Sequence, residues 1–298
     1  MGYLFLAIAL LCGCTKGYCG KKTSGAVKEL RDAMLANIVR MLFCVVVGFA
    51  VLALQGEVSR LRVDSNTLLI AAFSGIATAM FVVLWLVEVK KGAYMMIDVF
   101  LLLGSIFPIA VSTVLFGESI KINQIIGFVV LTAAVIVMCS YNNSVQEKMS
   151  LTSFILLFLC GLANGAAALS QKLFVVYVKD GSNAVFNLYT YVFSAIVLAA
   201  CYLLFGIKGT RQSKNVFSNN KALFCYICVM ALCLFLYSYF MTMAAAYLPA
   251  VILYPLSQGA GLILSSLMAA LFFKEKITKT CMLGLILAFA GLIVMNML

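Results

Sequence analysis

Apolar residues fall in long runs, at about 3–20, 33–54, 67–88, 93–116, 122–141, 151–173, 184–206, 222–246, 249–273 and 279–297, and nearly every charge falls between them. That segregation leaves few folds open. A run of roughly 20 residues with almost no charge has no polar face for water, but it matches the thickness of hydrocarbon that a bilayer-spanning helix must cross. In hydrocarbon the backbone must satisfy its own hydrogen bonds, so runs of this length read as helices. Of the 298 residues 65% are hydrophobic and 10% charged, where soluble domains carry roughly a quarter charged residues. The runs and their short links use up the sequence. The prediction is an all-α integral membrane protein of about ten transmembrane helices, with no separate soluble domain.

The net charge of +11 does not point to nucleic acid, because the basic residues sit in the links, where anionic lipid headgroups are the natural partner. Histidine is absent, which removes the usual pH switch and the commonest metal ligand. Cys12, Cys44, Cys139, Cys160, Cys201, Cys233 and Cys281 lie within apolar runs, where a free thiol behaves as a small hydrophobe. Cys225 and Cys228 form a CxxC, but inside a predicted helix and without a second ligand pair. No metal and no cofactor are expected. No nucleophile–base constellation and no paired intramembrane acids are visible, so the chain reads as a non-enzyme. The apolar residues 4–14 lack the preceding basic residue of a signal peptide and are read as part of the first helix.

The two halves repeat. Phe116 to Gly127 ("FGESIKINQIIG") lies over Phe273 to Gly284 ("FKEKITKTCMLG"), which brings Glu118 onto Glu275, Ile120 onto Ile277 and Gly127 onto Gly284. Leu11 to Gly17 ("LCGCTKG") lies over Leu159 to Gly165 ("LCGLANG"), and Asn37 and Phe43 match Asn187 and Phe193. The division expected is a first five-helix unit at 1–141, a linker at 142–150 and a second unit at 151–298. Five is odd, so the second copy enters the membrane from the opposite face, giving two inverted five-helix repeats. Secondary transporters use this build, with the substrate between the halves.

A short first helix with Gly13 near its middle and Lys16 toward its end, Arg40 early in the second helix, and the Glu–β-branched–polar–Gly pattern at Glu118 and Glu275 together resemble the drug/metabolite transporter (DMT) superfamily, EamA-like type. The resemblance covers the whole chain. It implies a ten-helix carrier of metabolites, amino acids, sugars, nucleotide conjugates or drugs. Two departures stand out. Cys12 and Cys160 occupy the place of a tryptophan often found beside the first-helix glycine, and the first helix lacks the embedded Glu of the related small multidrug pumps.

Gly13, Lys16, Gly17 and Gly20 share one face of the first helix, and Gly161, Asn164, Gly165 and Ala168 share one face of the sixth. Such stripes serve close helix packing, and they also leave room around Lys16 and Asn164. Lys16, Arg40 and Asp98 are charges within the spans, near one membrane face. They form either a structural ion pair of Asp98 with Arg40 or a net positive site for an anionic or zwitterionic solute. Polar residues at helical spacing add Ser74, Thr78 and Trp85, then Ser238, Tyr239 and Thr242, then Tyr254, Ser257, Gln258 and Gly261. The substrate-binding candidates are Lys16, Asn164, Trp85, Tyr239, Gln258, Arg40 and Asp98. Glu118 and Glu275 read as caps near the start of the helix that follows each, and Pro108, Pro249 and Pro255 as bends or breaks in the fourth and ninth helices.

The expectation is a secondary transporter of a small metabolite, such as an amino acid, organic acid or phosphorylated metabolite. A multidrug exporter of cations and a membrane-embedded enzyme are the alternatives. The expected partners are a small-molecule substrate and the lipid bilayer, with a homodimer left open and nucleic acid excluded; the expected location is the plasma (inner) membrane. The links after the odd-numbered helices, counted with the run ends that adjoin them, hold 14 Lys and Arg against 5 after the even-numbered ones, which places the former in the cytoplasm and both termini outside. The family resemblance implies both termini inside.

Overall fold

The computed structural model describes residues 1–25, 30–90, 94–140, 151–178, 180–206, 221–273 and 279–296. These form eleven α-helices: α1 (Gly2–Ser24), α2 (Leu30–Leu54), α3 (Ser65–Lys90), α4 (Tyr94–Gly104), α5 (Ile106–Phe116), α6 (Ile122–Ser140), α7 (Leu151–Tyr177), α8 (Asn183–Gly206), α9 (Lys221–Ala245), α10 (Ala250–Phe273) and α11 (Lys279–Asn296), with a short 3-10 turn at Val58–Leu61. Seven of them, α1 to α3 and α7 to α10, are long and apolar enough to cross a membrane, and shorter apolar stretches lie at Phe100–Phe116, Ile122–Ala134 and Met282–Met295. The fold is all-helical among the described residues. The expected linker 142–150 and Glu275 lie outside them.

Two of the departures from the apolar runs have local reasons. α1 continues past residue 20 because its polar last turn bonds back on itself: the Thr23 hydroxyl donates to the Cys19 carbonyl at 2.7 Å and Ser24 to Lys21 at 2.9 Å. Lys21 and Lys22 sit in that turn, where the helix dipole favours cations. The fourth run is two helices. Pro108 cannot donate to the Gly104 carbonyl four residues back, and the chain breaks there, with the Ser105 hydroxyl on the Leu102 carbonyl at 2.6 Å. Pro255 sits inside α10, which stays continuous. Pro249 stands just before α10, where no backbone donor is required. At the start of α3 the Thr67 hydroxyl and backbone amide both donate to the Asp64 carboxylate, which holds that exposed acid below its usual pKa.

Polarity is arranged inside out. Leu42, Val46, Phe49, Leu69, Ile125, Phe158, Leu203, Leu271 and Phe289 are exposed, while Asn37, Ser74, Ser112, Gln171, Asn187, Thr190, Ser194 and Thr242 are buried. In water such an apolar surface would aggregate; against lipid it costs nothing. Lipid supplies no hydrophobic drive for helices to meet, so contact depends on close packing and hydrogen bonds. α1 packs on α9, α3 on α7 and α8, α2 on α8 and α9, α4 and α5 on α7, and α6 on α11. The tightest seams run through glycine. A Cβ on Gly161 would lie 2.1 Å from the Phe100 carbonyl oxygen, and one on Gly165 would lie 2.2 Å from that of Gly104, so α7 meets the α4–α5 break backbone to backbone. Asn37 and Asn187 make parallel bonds. Each donates to the carbonyl four residues back (Ala33, Asn183) and reaches the next helix, at the Val82 carbonyl and the Thr242 hydroxyl respectively.

Candidate functional site

Five helices, α1, α3, α7, α9 and α10, enclose a cavity of about 170 Å3, with Leu101 of α4 and Tyr191 of α8 completing the wall. Each helix offers one face at helical spacing: Ser74, Thr78, Phe81 and Trp85 from α3; Asn164, Ala167, Ala168 and Gln171 from α7; Leu234, Tyr237, Ser238 and Met241 from α9; Tyr254, Ser257, Gln258 and Gly261 from α10. α1 gives Gly13, Lys16, Gly17 and Lys21. Aromatic and aliphatic walls with a few placed polar groups are the usual make-up of a small-molecule pocket.

Lys16 lies well inside the helix, about 12 Å from the end of α1 at the helical rise per residue. Its ammonium stands 4.6 Å from the centre of the Tyr237 ring, a cation–π contact between the packed helices α1 and α9. No carboxylate pairs with it among the described residues. The wall thus carries a cation whose strongest partner is an aromatic face.

Lys16, Trp85, Asn164 and Gln258 all line this space. Tyr239 does not. It packs with Phe235 and Phe240 on the other side of α9, and its hydroxyl accepts from Gln55 at 3.0 Å. The cavity face of α9 runs through Leu234, Tyr237, Ser238 and Met241, and Tyr239 falls outside that arc. Arg40 is 2% exposed and lies behind the wall. Asp98 is on α4, with its side chain outside the described residues, and Arg40 makes no ion pair with any described residue. Gln171 and Tyr237 are wall residues that the sequence reading did not single out. Gln171 was within reach, at i+7 from Asn164 on the same helix face. Among the described residues no group of three or more His, Cys, Asp or Glu could hold a metal.

Residues 151–297, the stretch that supplies α7 to α11, match the EamA-like transporter family. This chain belongs to the EamA-like transporter family. The family is part of the DMT superfamily. This EamA-like protein also superposes on a solved crystal structure with a TM-score of 0.77 at 15% identity, over 99% of this chain and 96% of the other, which shows a shared fold. No curated protein matches it.

Polar contacts tie together the helices that line the EamA-like cavity. The Tyr254 hydroxyl donates to the Ala168 carbonyl at 2.7 Å, joining α10 to α7, and the Tyr237 and Ser257 hydroxyls lie 3.4 Å apart. Gln171 donates to Ser238 at 3.2 Å, and Ser238 to Asn187 at 2.5 Å. Beyond them Lys172 pairs with Glu118 at 2.7 Å and donates to the Ala245 and Leu248 carbonyls at 3.4 and 3.3 Å; the other Glu118 oxygen accepts from the Ala250 amide at 2.7 Å. Glu118 is therefore a cap, as its sequence suggests, but of α10 rather than of α6, the helix that follows it. Tyr254→Phe is expected to lower unfolding stability in detergent by about 1 kcal/mol, because the part-buried hydrogen bond from Tyr254 to the Ala168 carbonyl is lost; a thermal melt reads this directly.

Proposed function

We propose that this chain is a secondary transporter that moves a small anionic or zwitterionic metabolite, such as an amino acid, organic acid or phosphorylated metabolite, across the plasma (inner) membrane by alternating access. The observation that carries the reading is Lys16, a cation in the wall of a central cavity with no paired carboxylate among the described residues. A charge placed there in hydrocarbon needs a function or a partner, and a solute anion is both. Asn164, Gln258 and Trp85 line the same space and serve as hydrogen-bonding and stacking groups for the rest of the solute. A cavity of about 150 Å3 holds benzene, so the 170 Å3 here suits a small metabolite.

In this reading α4 and α5 together form one broken span, giving ten spans as two inverted five-helix repeats. The packing supports it. Exchanging each span with the one five places on turns the α1–α9 contact into α7–α3 and the α2–α9 contact into α8–α3, while α6–α11 and α2–α8 map onto themselves. The parallel bonding of Asn37 and Asn187 follows the same exchange. Rocking of the two units about the cavity would then expose it to either face in turn.

The test is thermal stabilisation of the purified protein by lactate, alanine, glycerol 3-phosphate and tetraphenylphosphonium, with Lys16→Met in parallel. An anion or zwitterion at about 100 times its dissociation constant should add roughly 2.7 kcal/mol to the wild type. That gain should vanish in Lys16→Met, and the same solute should show saturable counterflow in liposomes. Stabilisation by the organic cation alone, undiminished by Lys16→Met, would overturn the reading in favour of a cation exporter.

A further inference from the structure

Arg40 is a buried charge with no counter-charge among the described residues. It lies on α2, 2% exposed, with an Nη1 atom donating to the Met230 sulfur at 3.6 Å and an Nε atom with no hydrogen-bond partner. A thioether is a weak acceptor. The described ion pairs, Arg60–Glu57 and Lys172–Glu118, do not include it. A guanidinium with a structural task in a low-dielectric interior is normally matched by a carboxylate or by several carbonyls, because an unmatched buried charge is expensive.

Its position suggests what matches it. The Met230 sulfur that Arg40 touches lies 3.5 Å from where a Cβ on Gly20 would sit, and the ring of Trp85, a cavity-wall residue, packs on that same glycine. Gly20 is one helical turn beyond Lys16 on α1. Arg40 thus stands behind the cavity wall, with the Met230 side chain and Gly20 between it and Trp85. Two cations share one region of the interior, and no described carboxylate pairs with either.

We propose that Arg40 is the second cation of the solute site, and that the solute is therefore a dianion, a phosphate monoester or a dicarboxylate, rather than a monoanion or an amino acid. The inference rests on the carrier reading above and narrows its substrate class. Lys16 meets the solute directly. Arg40 acts through the wall, where little water screens it, and its attraction scales with the charge on the solute.

The test uses the full chain in detergent with lactate, alanine, malate and glycerol 3-phosphate as probes, comparing wild type, Arg40→Met and Arg40→Lys. The wild type should bind malate, glycerol 3-phosphate or both more tightly than lactate and alanine. Arg40→Met should weaken lactate on the order of tenfold and a dianion on the order of a hundredfold, since the loss is incurred once per solute charge. Arg40→Lys should keep most of the dianion preference. Without ligand, Arg40→Met should melt no lower than the wild type, because it removes a buried charge that no described carboxylate matches. A response confined to malate names a dicarboxylate, and one confined to glycerol 3-phosphate names a phosphate ester. Equal weakening of lactate and dianions, a wild-type preference for lactate or alanine, or an Arg40→Met protein that melts lower or does not fold would overturn this inference while leaving the Lys16 site standing. If no anion or zwitterion binds the wild type, the carrier reading falls as well.

Discussion

Glu118→Ala is expected to destabilise the protein by about 3–5 kcal/mol, the usual cost of leaving one partner of a buried ion pair uncompensated. Lys172 and Glu118 have side chains 10% and 15% exposed, so water screens neither well. Without the carboxylate, the ammonium keeps only two long contacts, to the Ala245 and Leu248 carbonyls. The first backbone amide of α10 also loses its acceptor, which adds about 1 kcal/mol for a lost cap. Adding Lys172→Met should recover most of the loss, because replacing both members of a buried pair with apolar groups is often nearly neutral. Glu118→Gln, which keeps an acceptor for Ala250, should fall between. Thermal unfolding in detergent across the four proteins reads all three steps. If Glu118→Ala and the double variant melted together well below the wild type, the carboxylate would matter as a cap and not as a counter-charge.

Gly161→Val is expected to prevent α4 and α7 from docking. A Cβ at Gly161 would sit 2.1 Å from the Phe100 carbonyl oxygen and 2.8 Å from its carbon, both backbone atoms that cannot turn aside. Even Gly161→Ala should cost about 3 kcal/mol, the upper part of the usual overpacking range, although alanine is the better helix former. Gly261→Ala is the matched control. Nothing lies within 4 Å of a Cβ there, so its stability should stay level or rise by up to about 1 kcal/mol. Size-exclusion profiles and melting curves of the three variants separate a steric seam from a general intolerance of glycine replacement. A Gly161→Val protein that ran and melted as the wild type would mean that the two backbones are not in contact.

The helices were legible because lipid makes length and apolarity sufficient; no period has to be recognised. The departures came from single residues. Thr23 and Ser24 carry α1 onward by bonding back to it, and Pro108 splits a run that Pro255, in another, leaves whole. The cavity wall was legible where a polar residue stood among small ones, as Lys16 and Asn164 do. It was not legible on α9, which is apolar almost all round, so nothing fixed its rotation. Tyr237 and Tyr239 look alike in sequence but sit about 200° apart on the helix, and the cavity faces Tyr237. Lys172 was hidden for the converse reason: it is one step from Gln171 in sequence, yet it turns away from the cavity to meet Glu118. Arg40 reads as an intramembrane charge in either view, but only packing shows that it stands behind the wall.

The seam between α1 and α9 has a consequence for biosynthesis. Between Ser24 and Lys221 lie nearly 200 residues, and at about 5–20 residues per second the ribosome needs roughly 10–40 s to make them. For that interval α1 is in the bilayer without the helix it will pack against. Lys16 has no Tyr237 ring to rest on, and can only stretch its long side chain toward the headgroups. A nascent chain halted before α9 would display that stranded charge in lipid, a mark by which cellular surveillance could tell an unfinished copy from a complete one.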